Sequence, residues 1–467
     1  MMTTPSLRSA ADLRGMRAVV LGLARSGVAA SRFLADAGAV VVAYDRRPAS
    51  ELGDAISALG ARPVRLALGL PDADAAALME HADLLVTSPS VSARFPTTDP
   101  WLRDALVAAE ARGARVVSEV DLFLRLTRAR VLAVTGTKGK TTTASLVAAI
   151  LTRAGIPHAL GGNIGTPLVE RADEMRSDEW AVLELSELQL PTISRGADIA
   201  VYTNVGADHL DRHGTVEAYR AVKRRLAELT VGSGTVVLNA DDPGCVGLAA
   251  GLSGDLRWYG FDDPSLEASV VDATIRLDGA DLLPASEVRL PGRHMLANVL
   301  AAALAARLAG AEPAAIADAV GTFPGVPHRL ETVAERDGVR WVNDSQATIP
   351  EAAIAGLEAF DAPVVLIAGG KDKGLEYGAF ADAIARHARS AVLIGETATT
   401  LEAAISERVP VSRAGSMEAA VARAAELAEP GDIVLLSPAA ASFDMFADYA
   451  ERGDAFRAAV ERLGGSA

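Results

Sequence analysis

Residues 131–151 read VLAVTGTKGKTTTASLVAAIL. A Val-rich run gives way to a loop in which Gly136 and Gly139 permit a tight turn, so that backbone N–H groups can surround phosphate oxygens. An apolar-periodic helix follows and adds the positive end of its dipole. Lys140 can reach β- and γ-phosphates, and Thr141 can ligate Mg²⁺. The stretch therefore predicts an ATP-binding loop between a strand and a helix.

This loop is shorter than the common G-x-x-x-x-G-K-[ST] motif, because Val134 stands where the first glycine would be. The alternative interpretation is a chance Gly-Lys turn. The order strand, glycine loop and helix favours phosphate binding.

Val-rich strands alternate with Ala-rich helical stretches along the rest of the chain. Such alternation predicts an α/β fold with parallel sheets. A length of 467 residues suits about three domains. The joints are placed near 118 and 325, which gives domains at 1–118, 119–325 and 326–467. Short alternating runs in 243–290 predict a small antiparallel part in the second domain.

Composition excludes several classes of protein. The net charge is −15, so no basic footprint for nucleic acid exists. Cys245 is the single cysteine, which excludes an intramolecular disulfide framework and a Cys-rich metal site. The sequence has no signal peptide pattern and no apolar run of about 18 residues, so we expect a cytoplasmic protein without a membrane span.

A second glycine loop lies near the N-terminus, in VVLGLARSGVAA (19–30). Gly22, Ala24 and Gly27 form a degenerate G-x-G-x-x-G, and Asp45 ends the next strand. The pattern fits a nucleotide or diphosphate group held at a helix N-terminus. A plain strand-to-helix turn is the alternative. The interpretation as an NAD-binding site would be supported by this loop alone.

Acidic residues and a histidine follow two strands of the second segment. Glu184 ends AVLE, at the sheet edge that faces ligands in open α/β folds, and is a candidate Mg²⁺ ligand or a helix cap. Glu187 is a weaker candidate for the same role, with a solvated carboxylate as the alternative. His209 lies just past the strand in VYTNVGADHLDRHG and is interpreted as functional, although lone histidines are more often structural. Asp208 and Asp211 could cap the following helix.

Lysine is rare in this chain: only five of the 45 Lys and Arg residues are lysine, and four of them lie in GTKGK and GGKDKG. The fifth is Lys223, within EAYRAVKRRLAEL (217–229). A buried lysine can lose its proton and act as a nucleophilic amine, whereas a guanidinium cannot. We therefore predict a chemical role for Lys223, with a solvated surface residue as the alternative. Arg220, Arg224 and Arg225 are expected to be solvated or to face substrate.

The chain resembles the Mur ligase family of ATP-dependent amide ligases that build the peptidoglycan stem peptide. The resemblance covers nearly the whole sequence. Ten motifs carry it: TGTKGKTTT, GGNIGTPL, LELSELQL, TNVGADHLDRHG, YRAVKRRL, GRHMLANVLAA, PHRLE, NDSQAT, AGGKDKG and LSPAAASFDMF.

The resemblance implies a fold and a set of ligands. It implies an N-terminal Rossmann-like domain that binds UDP, a central P-loop ATPase-like domain with a mostly parallel sheet, and a C-terminal Rossmann-like domain that binds an amino acid. Within the family the chain is most similar to members that add D-glutamate to UDP-N-acetylmuramoyl-L-alanine. ATP and Mg²⁺ are the implied cofactors, and we predict a monomer.

The family also assigns roles to single residues. The implied ATP contacts are Gly136, Thr137, Lys138, Gly139, Lys140, Thr141, Thr142, Asn298, Arg329 and Asp344. The implied metal and catalytic residues are Lys140, Thr141, Glu184, His209 and Lys223, the last as a carbamylated lysine. The implied contacts to the UDP-linked substrate and the amino acid are Gly22, Ser26, Asp45, Asn163, Thr348, Lys373, Ser442 and Tyr449.

Some positions depart from the family pattern. Gln346 stands where lysine is common, Ile349 where asparagine is common, and Met295 where asparagine is frequent. The first two lie near the implied amino-acid pocket, so addition of a different amino acid, such as L-glutamate, is the alternative function. A folate-directed relative, a nucleotide switch and an NAD-dependent dehydrogenase explain fewer of the motifs.

Overall fold

The computed structural model describes residues 7–93, 95, 97–206, 213, 215–290, 292–372 and 374–463. The chain divides into two compact units, Met1–Phe323 and Pro324–Ala467. Within the described ranges, no helix is both long and apolar enough to cross a membrane.

The first sheet of the N-terminal unit is parallel throughout, with strand order β3-β2-β1-β4-β5. Its strands are β1 (Arg17–Leu21), β2 (Val40–Asp45), β3 (Val64–Leu68), β4 (Leu84–Thr87) and β5 (Arg115–Ser118). Its helices are α1 (Arg25–Asp36), α2 (Gly53–Leu59), α3 (Asp72–Met79), α4 (Pro100–Ala111) and α5 (Glu119–Leu126). The strand predicted before the first glycine loop is β1, and the strand predicted to end at Asp45 is β2.

The second sheet of this unit has nine strands in the order β14-β13-β12-β11-β10-β9-β6-β8-β7. They are β6 (Arg130–Thr135), β7 (His158–Gly162), β8 (Trp180–Glu184), β9 (Ile199–Tyr202), β10 (Thr235–Asn239), β11 (Asp255–Phe261), β12 (Ala268–Val271), β13 (Thr274–Leu277) and β14 (Ala280–Pro284). Among the described strand pairs of this sheet, β12–β13 and β13–β14 alone are antiparallel, which confirms the small antiparallel part predicted from the sequence.

The helices of this second sheet are α6 (Lys140–Arg153), α7 (Val216–Thr230), α8 (Pro243–Ala249), α9 (Arg293–Leu308) and α10 (Pro313–Thr322). Strand β6 lies between β8 and β9, with Val134 opposite Glu184 and Thr135 opposite Tyr202. Because carboxyl ends of parallel strands meet at one edge, the glycine loop after β6 is flanked by the ends of both neighbours.

The C-terminal unit holds one six-stranded sheet with the order β15-β16-β20-β17-β18-β19, parallel except for the pair β15–β16. Its strands are β15 (Glu331–Arg336), β16 (Val339–Asn343), β17 (Val364–Gly369), β18 (Ala388–Ile394), β19 (Val411–Arg413) and β20 (Ile433–Leu436). Its helices are α11 (Pro350–Leu357), α12 (Gly378–His387), α13 (Ala398–Ile405), α14 (Met417–Leu427) and α15 (Tyr449–Leu463). The α/β class with mostly parallel sheets is confirmed, and the division at 118 stays a prediction.

One apolar core connects the two sheets of the N-terminal unit. Leu34 of α1, Leu122 of α5 and Val169 of the short 3-10 turn Leu168–Arg171 are all fully buried in it. Burial on this scale is the main favourable contribution to folding.

A carboxylate lies within this core. Glu119 opens α5 and is 3% exposed, and its Oε1 accepts a hydrogen bond from the Val169 N–H at 3.3 Å. Burial raises the pKa of Glu119 to about 7, although the bond from Val169 and the charge of Arg25 oppose the rise. The ionised form is therefore disfavoured here.

Replacing Glu119 with glutamine should change how stability depends on pH. The folded pKa of about 7 lies above the ordinary 4.5, so folding takes up a proton between these values and the wild-type free energy of unfolding falls as pH rises through that window. Glutamine carries no such proton. The free energy of unfolding of the variant should therefore rise relative to that of the wild type by about 3 kcal/mol between pH 4.5 and pH 7. Urea-induced unfolding at several pH values measures this gain.

Glu110, on the exposed surface of α4, provides the matched Glu→Gln control. Its substitution should leave the pH dependence as in the wild type. Parallel stability curves for wild type and Glu119→Gln would contradict the assignment.

Candidate active site

The loop after β6 depends on two glycines with positive φ. Gly136 has φ +151° and Gly139 has φ +85°, conformations that residues with a side chain rarely adopt. A Cβ on Gly136 would collide with Thr203 Oγ1, and one on Gly139 would collide with Asn298 Oδ1. The loop therefore packs directly against the end of β9 and against α9, which places Asn298 beside it; the contact of Asn298 with ATP stays a prediction.

Asn204, just past β9, holds the loop in place. Its side-chain Oδ1 accepts from the Lys138 N–H at 2.9 Å and its Nδ2 donates to the Lys138 carbonyl at 3.0 Å. Its own carbonyl accepts from the Thr137 N–H at 3.0 Å. Three bonds from one residue fix the backbone that is predicted to surround phosphate.

Lys140 begins α6 and folds back over this loop. Its Nζ donates to the carbonyl oxygens of Gly136 at 3.0 Å and Thr137 at 2.9 Å. Thr141 and Thr142 follow in the first helical turn, and both are buried. The cation and the hydroxyls of the motif are thus gathered at the positive end of α6.

Glu184 ends β8 and is 1% exposed. Its Oε1 accepts from Asn163 Nδ2 at 2.8 Å, while its Oε2 has no hydrogen-bond partner among the described residues. A buried carboxylate oxygen without a partner is costly unless a cation binds it. Glu184 therefore fits an Mg²⁺ ligand.

Lys223 is fully buried beneath the loop. Two of its hydrogen bonds go to the Gly136 carbonyl at 2.9 Å and to Thr135 Oγ1 at 3.3 Å. One turn earlier on α7, the Tyr219 hydroxyl bonds Thr137 Oγ1 at 3.0 Å. The predicted surface alternative for Lys223 is thus excluded by its burial.

Three expectations about neighbouring residues need correction. Arg224 Nη1 donates to the Ala250 carbonyl at 2.9 Å, and Arg225 Nη2 donates to the Ile193 carbonyl at 2.7 Å, so both arginines tie α7 to nearby loops instead of facing solvent or substrate. Glu187 is buried, not solvated. The chain turns back directly after β8, where Gln189 Oε1 accepts from the Ser186 N–H at 3.0 Å.

The first glycine loop leads from β1 into α1. Gly22 has φ +93° and its N–H donates to the Tyr44 carbonyl at 2.7 Å. Asp45 accepts from the Leu23 N–H at 2.8 Å and from Arg47 Nη2 at 2.9 Å. Burial favours the neutral form of Asp45, but these bonds outweigh it and lower its pKa to about 2. Ser26 lies in the first turn of α1.

In the C-terminal unit, Asp344 follows β16 and is almost completely buried. Burial raises the pKa of Asp344 to about 7, against a hydrogen bond from Ser437 Oγ at 2.8 Å and the positive charge of Arg329. The Leu330 N–H also donates to it, at 3.2 Å. The charge of Arg329 thus acts on Asp344, and their shared contact with ATP stays a prediction.

The predicted amino-acid contacts within the described part of this unit differ in exposure. Ser442 is 2% exposed, Tyr449 is 39% exposed and Thr348 is half-buried. The fully buried Arg452 was not predicted; its guanidinium donates to the Ala440 carbonyl at 3.0 Å and to the Ser345 carbonyl at 2.9 Å, which ties two of the motifs together. No sequence pattern indicates this role.

Two predicted site residues, His209 and Lys373, lie outside the described residues. In the described part, no group of three or more His, Cys, Asp and Glu side chains is arranged to hold a metal ion. The fit to Mg²⁺ therefore rests on Glu184 and its neighbours at the loop.

Comparison with known proteins decides the family. Models of the Mur ligase middle domain and of the Mur ligase glutamate ligase domain match residues 134–306 and 328–440. The UDP-N-acetylmuramoylalanine–D-glutamate ligase of Solibacter usitatus is 43% identical over 456 residues, covering 97% of this chain and 99% of that protein. The chain belongs to the Mur ligase family.

Other relatives of this Mur ligase agree. The enzyme of the same name from Symbiobacterium thermophilum is 40% identical, over 96% of this chain and 98% of that protein. Among solved structures, UDP-N-acetylmuramate–alanine ligase from Thermotoga maritima has a TM-score of 0.58 at 18% identity, covering 97% of this chain and 100% of that chain. MurF ligase from the same organism, in complex with ADP, has a TM-score of 0.52 at 19% identity, covering 82% and 96%. The structural likenesses support the fold.

Replacing Gly139 with alanine in this Mur ligase should abolish most nucleotide binding. The added methyl would meet Asn298 and would also strain a backbone at φ +85°, so the loop must shift. We expect ATP affinity to fall by at least about tenfold, a change of about 1.4 kcal/mol, measured by calorimetric titration.

Gly155 lies just past the other end of α6 and provides a control, because a side chain there would strain the backbone without meeting a neighbouring atom. It has φ +67°, and a Cβ there would meet nothing within 4 Å. Gly155→Ala should lower stability by about 1 kcal/mol and leave ATP affinity unchanged. Wild-type affinity in Gly139→Ala would contradict this interpretation of the loop.

Proposed function

We propose that this Mur ligase joins D-glutamate to UDP-N-acetylmuramoyl-L-alanine with conversion of ATP to ADP and phosphate. The observation that carries the proposal is the glycine loop with Lys140 above it, the partly unpaired Glu184 beside it and Lys223 beneath it. Relatives with that activity in their names are 37–43% identical over nearly the whole chain.

The proposed domains follow the sequence boundaries: 1–118 binds the UDP part, 119–325 binds ATP, and 326–467 binds the amino acid. The strand order β3-β2-β1-β4-β5 supports a Rossmann-like first domain. At its first glycine loop, Gly22 and Ser26 would contact the UDP part. Asp45 would act there by fixing the loop, because its carboxylate already accepts the Leu23 N–H and the Arg47 guanidinium.

The reaction would proceed in two steps. The terminal carboxylate of the UDP-linked substrate attacks the γ-phosphorus of ATP, the bond to the bridging oxygen breaks, and an acyl phosphate and ADP form. The amine nitrogen of glutamate then attacks the acyl carbon, phosphate leaves with its electron pair, and the nitrogen loses a proton. Phosphoryl transfer depends chiefly on positioning and on neutralising charge.

Each residue contributes binding or charge. The N–H groups of residues 136–140 and the Lys140 ammonium would hold the phosphates. Thr141, Glu184, His209 and a carbamylated Lys223 would hold Mg²⁺, which when bound supplies positive charge against the repulsion between carboxylate and phosphate. Asn163 would orient Glu184 and meet the muramoyl group.

Residues outside the loop would complete the substrate sites. Asn298, Arg329 and Asp344 would contact the rest of ATP. Thr348, Lys373, Ser442 and Tyr449 would contact the amino acid.

Turnover with a panel of amino acids tests this function. Phosphate release with Mg-ATP and UDP-N-acetylmuramoyl-L-alanine should require D-glutamate, with a kcat/KM at least about 100-fold above that for L-glutamate. A preference for L-glutamate would support the second candidate function, which Gln346 and Ile349 favour because both replace residues common in the family. Absence of turnover with every amino acid would refute the ligase assignment.

Lys223→Arg should remove most activity, because a guanidinium cannot take up CO₂ to form the carbamate oxygens that Mg²⁺ requires. Lys223→Ala should also be inactive, and small carboxylic acids should restore part of its activity by supplying the oxygens. We expect a loss of at least about 100-fold in kcat, or about 2.7 kcal/mol. A carbamate signal from ¹³C-labelled bicarbonate in the wild type, absent in both variants, provides independent evidence.

Lys371→Arg is the matched control. Lys371 is half-buried, with its side chain 44% exposed, and its Nζ pairs with Glu396 Oε1 at 2.7 Å, a contact that arginine can keep. This variant should retain activity and the carbamate signal. Full activity in Lys223→Arg would show that this lysine acts only through its charge.

A further inference from the structure

Two arginines project from one face of α1 toward the second sheet of the N-terminal unit. Arg25 and Arg32 are seven residues apart, which is two helical turns. Arg32 Nε pairs with Glu170 Oε1 at 2.9 Å, and Arg25 Nη2 donates to the Asn163 carbonyl at 3.4 Å. Both therefore connect α1 with the segment that follows β7.

Asn163 in turn contacts Glu184, the proposed Mg²⁺ ligand at the end of β8. Its main-chain N–H donates to the Glu184 carbonyl at 2.9 Å, and its Nδ2 donates to Glu184 Oε1 at 2.8 Å. The preceding Gly162 packs so closely that a Cβ there would collide with the Glu184 carbonyl. A shift of the Asn163 backbone must therefore move the amide that orients Glu184 and its unpaired Oε2.

Arg25 also belongs to the first glycine loop. It is the first residue of α1, directly before Ser26, at the positive end of the helix where a diphosphate would lie. Its charge also acts on the buried Glu119, which is bonded to Val169. Arg25 is thus the one residue of this loop, among those described, with a hydrogen bond to Asn163.

We propose that Arg25 is a positioning residue that couples occupation of the loop 22–26 by the diphosphate of the UDP-linked substrate to the orientation of Glu184, through Asn163. The inference rests on the proposed function, because it requires that substrate in that loop. When the diphosphate draws the guanidinium, the Asn163 backbone moves with it, and the Glu184 carboxylate takes the position that Mg²⁺ and ATP require.

Calorimetric titration of Mg²⁺ with a non-hydrolysable ATP analogue, with and without saturating UDP-N-acetylmuramoyl-L-alanine, measures this coupling. Linkage requires each ligand to change the other's affinity by the same factor. In the wild type the substrate should tighten the Kd of the analogue by at least about fivefold. In Arg25→Leu the factor should fall below about twofold, while the Kd of the analogue alone stays as in the wild type.

Arg32→Leu is the matched control, since it removes the other arginine on the same face of α1 and leaves the Asn163 contact intact. It should keep the wild-type factor, and Arg25→Lys, which keeps charge but loses the forked geometry, should give an intermediate factor. Circular dichroism checks that each variant folds.

Each outcome has a defined meaning. A wild type that binds the analogue but never the UDP-linked substrate refutes the proposed function. A wild type that binds both without coupling, an Arg25→Leu variant with the wild-type factor, or an equal loss in Arg32→Leu overturns the positioning role alone.

Discussion

The close approach of the glycine loop to its two neighbours is the constraint on which the rest of the site depends. Gly136 and Gly139 leave no room for a side chain against Thr203 and Asn298, so the loop, the end of β9 and α9 are packed as one body. The Gly136 carbonyl accepts hydrogen bonds from both Lys140 and Lys223. The backbone at positive φ thereby brings two lysine side chains to one carbonyl oxygen of the loop.

The parallel sheets and the glycine loop could be predicted from the sequence, because the patterns that indicate them lie within short stretches of the chain. Alternation of Val-rich and Ala-rich stretches predicts the parallel sheets, and the glycine pattern predicts the loop. The rarity of lysine indicates a chemical role for Lys223, and its full burial is consistent with such a role. Two edge strands, β15 and β19, are harder to predict. Strand β15 reads ETVAER, which is mostly polar and half-exposed, and β19 has only three residues. Neither carries a pattern that separates it from a loop.

The parts that could not be predicted depend on contacts between distant residues. Asn204 fixes the loop from 66 positions away in sequence, and Arg25 reaches Asn163 across 138 positions. Arg452 joins Ser345 across 107 positions. Such pairs follow from strand order and register, which one sequence does not specify. Arginines expected in solvent instead bind backbone carbonyls for the same reason, since an exposed-looking Arg on a helix can satisfy a neighbouring loop.

Full burial makes the difference between lysine and arginine chemically important at position 223. Lys223 is fully buried, and two of its hydrogen-bond partners are a hydroxyl and a backbone carbonyl. A guanidinium there would carry five donors and a permanent charge, while a lysine amine can become neutral and then take up CO₂. The proposed carbamylation would replace the ammonium with a carbamate, whose single negative charge is shared by two oxygens, beside Thr135 and Gly136. Together with the unpaired Glu184 Oε2, it would place the negative charge that a metal needs at the base of a loop otherwise built to attract anions.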